Sequence, residues 1–151
     1  MKQVLYVTIL LAAALSTGAV AQDAPIFPKG EKVPNDHHVG TVWLKEISQP
    51  DSVFNYGIAV ATFAPGARLH WHAHPGGQIL LITEGTGYYQ EKGKPKQILR
   101  KGDVVKCLPG VEHWHGASPE SGFTYIATTP TQKGRTIWGQ PVTDEEYGRR
   151  K

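Results

Sequence analysis

His70, His72 and His74 stand at alternate positions in the stretch RLHWHAHPGGQ, and His113 and His115 repeat the device in PGVEHWHGA. Side chains alternate between the two faces of a strand, so an unbroken strand sends the members of each group to one side. Five of the seven histidines thus fall in two short stretches, each beside a Pro-Gly turn. Imidazoles gathered in this way are ordinary protein ligands for Zn, Fe, Mn, Ni and Cu, and near neutral pH the same rings exchange protons. His37 and His38, in a polar stretch rich in proline, read as ordinary surface residues. Cys107 is the single cysteine, so no internal disulfide is possible; its apolar surroundings, DVVKCLPG, mark a buried, inert thiol.

The elements that must position these rings are short. From about Thr41 onward the chain alternates β-prone runs, TVWLKEI, YGIAVATFA, QILLIT, GYYQE, QILR, DVVKCL and FTYIATT, with breaks rich in Gly or Pro such as APGA, TEGTG, KGKP, RKGD and LPGVE. Long helical periodicity is missing, and the pattern predicts an all-β barrel or sandwich. At 151 residues the chain fits one domain. Residues 1–21 carry a lysine, an apolar run and small residues ending in AVA, the pattern of a secretory signal peptide. Export predicts a periplasmic or secreted protein, with no membrane association once that segment is removed. Residues 22–40 read as an extended N-terminal arm, laid on the barrel or on a neighbouring subunit, and 41–151 as the barrel with a short C-terminal tail. The tail segment VTDEEYGRRK predicts a single helical turn. A formal charge of only +3, with the basic residues scattered or gathered in the tail, points to a solvated surface and not to a nucleic-acid face.

The spacing of the two histidine groups resembles that of the cupin superfamily. The first cupin motif runs Gly, five residues, His-x-His, three or four residues, Glu, six residues, Gly, and here gives Gly66, His72, His74, Gln78 in place of Glu, and Gly85. The second runs Gly, five residues, Pro-x-Gly, two residues, His, three residues, Asn. It gives Gly102, Leu108 with Pro109 beside it, Gly110, His113, and Ala117 in place of Asn. The resemblance implies a single cupin barrel, a double-stranded β-helix or jelly roll. Within the superfamily the wording is similar to small single-domain cupins described as carboxymuconolactone-decarboxylase-like, and to bacterial manganese-dependent hydroxynitrile lyases.

In those lyases two His, a Gln and a third His hold the metal, which implies His72, His74, Gln78 and His113 here, with one divalent ion per chain. Manganese comes first and Fe, Zn and Ni stay open. Three neutral imidazoles and a neutral amide leave the ion its full positive charge, which suits Lewis-acid lyase, isomerase or decarboxylase chemistry on a small oxygenated molecule. His70 and His115 share strand faces with these ligands and are the candidates for support or proton transfer. The base position of the lyases falls on Tyr125, and a partner Gln falls on Thr129. Tyrosine is a poor base at neutral pH unless its pKa is lowered. A small-molecule or sugar-binding module without turnover and a metal-dependent dioxygenase are the alternatives. Barrels of this kind commonly pair, so a homodimer is expected.

Overall fold

A computed structural model describes residues 24–148. The leader expected over 1–21 and the last residues of the tail lie outside the described residues. The described residues form twelve strands and one helical turn: β1 (Glu31–Lys32), β2 (His38–Val39), β3 (Val42–Ser48), β4 (Tyr56–Phe63), β5 (Arg68–Leu69), β6 (His72–Ala73), β7 (Gln78–Glu91), β8 (Gln97–Arg100), β9 (Val104–Cys107), β10 (His113–Ala117), β11 (Phe123–Pro130), β12 (Ile137–Trp138) and α1 (Asp144–Tyr147). All strand pairings among the described residues are antiparallel, and the main path runs β1-β3-β4-β11-β7-β10-β5-β2. This is the all-β barrel that the sequence predicts.

One strand ties the barrel together. The runs QILLIT and GYYQE, separated in the sequence by the break TEGTG, form the single 14-residue strand β7. Its first part pairs with β9 and β11, its second with β8 and β10. The change of partners occurs at Gly85, which has φ +74° and sits so close to Gly122 that a Cβ would meet that carbonyl oxygen at 1.8 Å. Glycine is needed there both for the backbone conformation and for the close approach, so TEGTG bends the strand instead of ending it.

Alternation along the strands builds the core. Leu80 and Ile82 of β7 are buried, while Ile79 and Leu81 between them are about 40% exposed on the outer face. Leu80, Ile82, Phe63, Phe123, Tyr89, Leu99 and Val105 form the main apolar cluster, each contributing about 1.5–3 kcal/mol of burial for side chains of this size. A second cluster, Trp71, Trp114, Val142 and Tyr147, lies behind the histidine strands. Within the arm, β1 pairs with β3 and β2 with β5. The expected helical turn of the tail is α1, opened by a capping box between Thr143 and Glu146 and closed by Gly148 in the left-handed conformation.

Candidate metal centre

His72 and His113 face one another across the β6–β10 ladder, with ring centroids 4.4 Å apart. His74 follows β6 at the Pro-Gly turn, and its ring lies 5.0 Å from that of His72 and 5.5 Å from that of His113. One ligand atom from each of the three falls within 4.8 Å of the others. Each ring is held from behind. Nδ1 of His72 donates to the His70 carbonyl at 2.8 Å, and Nδ1 of His113 to the Val111 carbonyl at 2.8 Å. A carbonyl only accepts, so these bonds place the proton on Nδ1 and leave the Nε2 lone pair for a ligand. His74 Nδ1 meets the Thr136 hydroxyl at 3.2 Å.

On the ligating side of the cluster, three atoms have no geometric hydrogen bond. Nε2 of His74 and of His113, and Oε1 of Gln78, are buried without a hydrogen bond. The Gln78 amide group meanwhile donates from Nε2 to the Thr129 hydroxyl at 2.9 Å. Buried polar atoms are ordinarily satisfied, and groups held from behind with open ends on one side could serve as metal donors, His72, His74 and His113 foremost. Three imidazole nitrogens and one amide oxygen suit a first-row divalent ion.

Electrostatics keep the rings in their ligating form. Burial, and next the neighbouring His113, push His72 well below the ordinary imidazole value and His74 down to about 4. Burial also lowers His113, against the raising effect of its bond to Val111. All three are therefore neutral at pH 7. A cavity of about 590 Å³ opens onto this cluster; its lining includes His72, His74, Gln78 and His115 and the apolar Val42, Leu44, Ala59, Ala61, Phe63 and Ala127.

With that geometry in place, the relatives are informative. The family description "Cupin domain" matches residues 59–126. An (R)-mandelonitrile lyase from Granulicella tundricola is 42% identical over 120 residues, which cover 78% of this chain and 91% of that enzyme. This chain belongs to the cupin family. A cupin-like protein from Thermotoga maritima, of known crystal structure, is 47% identical with a TM-score of 0.80, over 82% of this cupin and 95% of that chain. A cupin-2 domain protein from Rhodospirillum rubrum, 12% identical with a TM-score of 0.62 over 74% and 73% of the two chains, shares the fold.

Around the cupin's centre the other expected residues divide. His115 is 1% exposed, lines the cavity, and lies 5.0 Å from the His72 ring, with neither ring nitrogen hydrogen-bonded. Burial, followed by His72 and His113, holds it neutral. Tyr125 also lines the cavity, edge-on to His115 at 5.1 Å, but burial pushes its phenol well above the ordinary value and keeps it protonated. His70 is not brought to the cavity. The strand breaks after Leu69 and resumes at His72, so the alternation fails there, and the His70 ring turns to His37 at 6.1 Å. Its contribution is the backbone carbonyl that orients His72.

The structure also adds residues that sequence reasoning passed over. His38 is 6% exposed, and both His37 and His38 line the cavity together with Thr136 and Trp138. His37 stacks on Trp138 at 4.4 Å, and Trp138 in turn lies 5.0 Å from His72. Nothing in the polar composition of the arm signals this, because it depends on the two-residue pairing of β2 with β5.

Proposed function

We propose that this cupin is an exported metal-dependent lyase that cleaves a small cyanohydrin, or forms it from an aldehyde in the reverse direction. The observation that carries the proposal is the cluster of His72, His74 and His113 with Gln78 beside it, of which His72, His74 and Gln78 line a cavity that also has apolar lining. Support comes from the similarity to a mandelonitrile lyase over most of both chains, and export rests on the leader-like residues 1–21. Manganese is the proposed ion, on the resemblance to manganese-dependent hydroxynitrile lyases.

A divalent ion held by His72, His74, His113 and Gln78 would supply Lewis-acid polarisation of the substrate oxygen. The neutral amide of Gln78, in place of a carboxylate, would leave the ion's full charge for that role. His115, held neutral by burial and free at both nitrogens, accepts the hydroxyl proton of the substrate. The carbon–cyanide bond then breaks, cyanide leaves with the electron pair, and the proton on His115 neutralises it. Ala59, Ala61 and Ala127 leave room for the apolar body of the substrate and keep water from it. Tyr125 remains protonated and takes no proton.

The test is cleavage of benzaldehyde cyanohydrin by metal-loaded protein, with free metal as the blank. We expect slow turnover by the unaltered chain and at least a tenfold rise, about 1.4 kcal/mol of barrier, in Tyr125→His, which adds a second neutral base to the cavity. Brisk turnover without the substitution contradicts the assignment of Tyr125 as a handicap. Inactivity of both, with one ion bound per chain, overturns the cyanohydrin reading.

A further inference from the structure

The ligands of the metal centre are not equally supported by the main sheet. Gln78 begins the 14-residue strand β7, and His113 pairs with β7 as well as with β6. His72 and His74 instead belong to the segment 70–74, whose one strand is two residues long and meets β10 at a single pair, His72 with His113. A strand this short has little ladder of its own, so something else must fix it.

The C-terminal segment does so. Ile137 and Trp138 of β12 pair with Ala73 and His72. The Gly139 amide donates to the Trp71 carbonyl at 2.7 Å, and the Trp71 amide to the Gln140 carbonyl at 3.0 Å. The Thr136 hydroxyl meets His74 Nδ1 at 3.2 Å. The same segment then passes behind the histidine strands, where Val142 and Tyr147 pack with Trp71 and Trp114 in the second core. Trp71 neighbours His72 in sequence, and Trp114 lies between His113 and His115, so this core backs the ring-bearing backbone directly.

Two residues fasten the segment. Arg68, 2% exposed at the start of β5, donates to the Val142 carbonyl at 3.2 and 3.0 Å and to Asp144 Oδ1 at 2.8 Å, and its guanidinium lies 4.5 Å above the Tyr147 ring. The Tyr147 hydroxyl donates to the Ala117 carbonyl of β10 at 2.7 Å. Gly116 lets β5 and β10 approach at this point, since a Cβ there would meet the Ala67 oxygen and the Arg68 Cα at 2.5 Å. Arg68 and Tyr147 therefore join the tail to both β5 and β10.

We infer that residues 136–148 form a strap that positions the metal centre, with Arg68 and Tyr147 as its positioning residues: the strap sets where His72 and His74 hold their ligating nitrogens. The inference rests on the metal-centre reading, and it gives the closing TDEEY segment a part in metal affinity although none of its residues reaches the cavity.

The experiment uses full-length Tyr147→Phe and Arg68→Met, with Leu99→Ala as a control that weakens the main core at a distance from the strap. Mn²⁺ affinity is measured by chelator competition, and the visible absorption of Co²⁺-loaded protein reports ligand geometry. Both strap variants are expected to bind Mn²⁺ about tenfold more weakly, the lower end of what lost support behind a ligand costs. Their Co²⁺ bands should shift while the circular dichroism of the barrel is retained. Leu99→Ala should lower the melting temperature with affinity and bands unchanged. If Arg68→Met fails to fold, Tyr147→Phe, which removes the hydroxyl that bonds Ala117 and keeps the ring, decides. Unchanged affinity and spectrum in the strap variants, or an equal change in the control, overturns the inference while the metal centre stands. A wild-type protein that binds neither ion removes the metal centre itself and the strap's role with it.

Discussion

At the scale of single residues, Gln78 is the most informative position. Its amide nitrogen is committed to Thr129 and its oxygen is left for a ligand. Gln78→Glu keeps an oxygen at that place and adds a negative charge; the Thr129 hydroxyl then donates instead of accepting. The variant is expected to hold metal at least as tightly and to turn over on the order of tenfold more slowly, about 1.4 kcal/mol of barrier, because the added charge offsets the polarisation of substrate. Isothermal titration with Mn²⁺ and a cyanohydrin assay check the two halves separately, and much weaker metal binding would make Gln78 an orienting group instead of a ligand. His113→Ala supplies the complementary case. It removes one of three imidazoles that share a 4.8 Å cluster and should abolish stoichiometric metal, whereas His37→Ala, stacked on Trp138 outside the donor set, should not. Metal analysis showing full occupancy in His113→Ala excludes the ligand set.

Elements show where the sequence was legible and where it was not. The β-prone runs and their Gly and Pro breaks predicted the barrel, and the cupin spacing brought out His72, His74 and His113, which the fold brings within ligand reach of one another. Alternation misled at His70, because it holds only along continuous backbone and the strand is interrupted between Leu69 and His72. The break TEGTG became a bend inside β7, since its partners β8 to β11 hold the strand on both sides of Gly85. His38, Thr136 and Trp138 reach the cavity through long-range pairings of two-residue strands or the loop before one, for which local pattern carries no signal. Close strand approach is similarly silent in composition, yet it is testable. Gly116→Ala places a Cβ 2.5 Å from backbone atoms of Ala67 and Arg68, so β5 must shift from β10. A loss of about 1–3 kcal/mol in denaturant unfolding is expected from such overpacking. Gly93→Ala, at φ +76° with nothing within 4 Å, should cost only the left-handed backbone strain of about 1–2 kcal/mol and leave metal affinity intact. Equal metal affinity in the two variants would show that the β5–β10 spacing does not matter to the centre.

Across the whole molecule, the buried imidazoles make metal-free stability depend on pH in a defined direction. His38, His72, His74, His113 and His115 are all buried and all lowered from the ordinary value near 6.5, with burial the leading cause in each. In the unfolded chain they take up protons as pH falls through about 6.5, while in the folded chain they stay neutral; His74 does so down to about 4. Between those limits the unfolded state binds more protons, so acidification favours unfolding, by on the order of 1 kcal/mol per pH unit for each ring that stays neutral in the fold. The stabilisation is complete above about pH 7 and is lost progressively as pH falls toward 4. Bound metal opposes this loss, because it holds the ligating rings in their neutral form and binds only the folded chain. The same lowering sets the acid limit of metal binding: rings with ordinary pKa values would release the ion below about pH 6, whereas these buried ones retain it to lower pH. Melting temperatures of metal-free and Mn²⁺-loaded protein from pH 7.5 to 5 test both statements. The metal-free curve should fall steeply below pH 6.5 and the loaded curve should stay above it throughout that range. His115→Phe, which replaces a fully buried imidazole with a ring that cannot titrate, should flatten the metal-free curve. A metal-free melting temperature independent of pH over this interval would mean that the histidines are protonated in the folded barrel, and the neutral donor set on which the centre depends would fall with it.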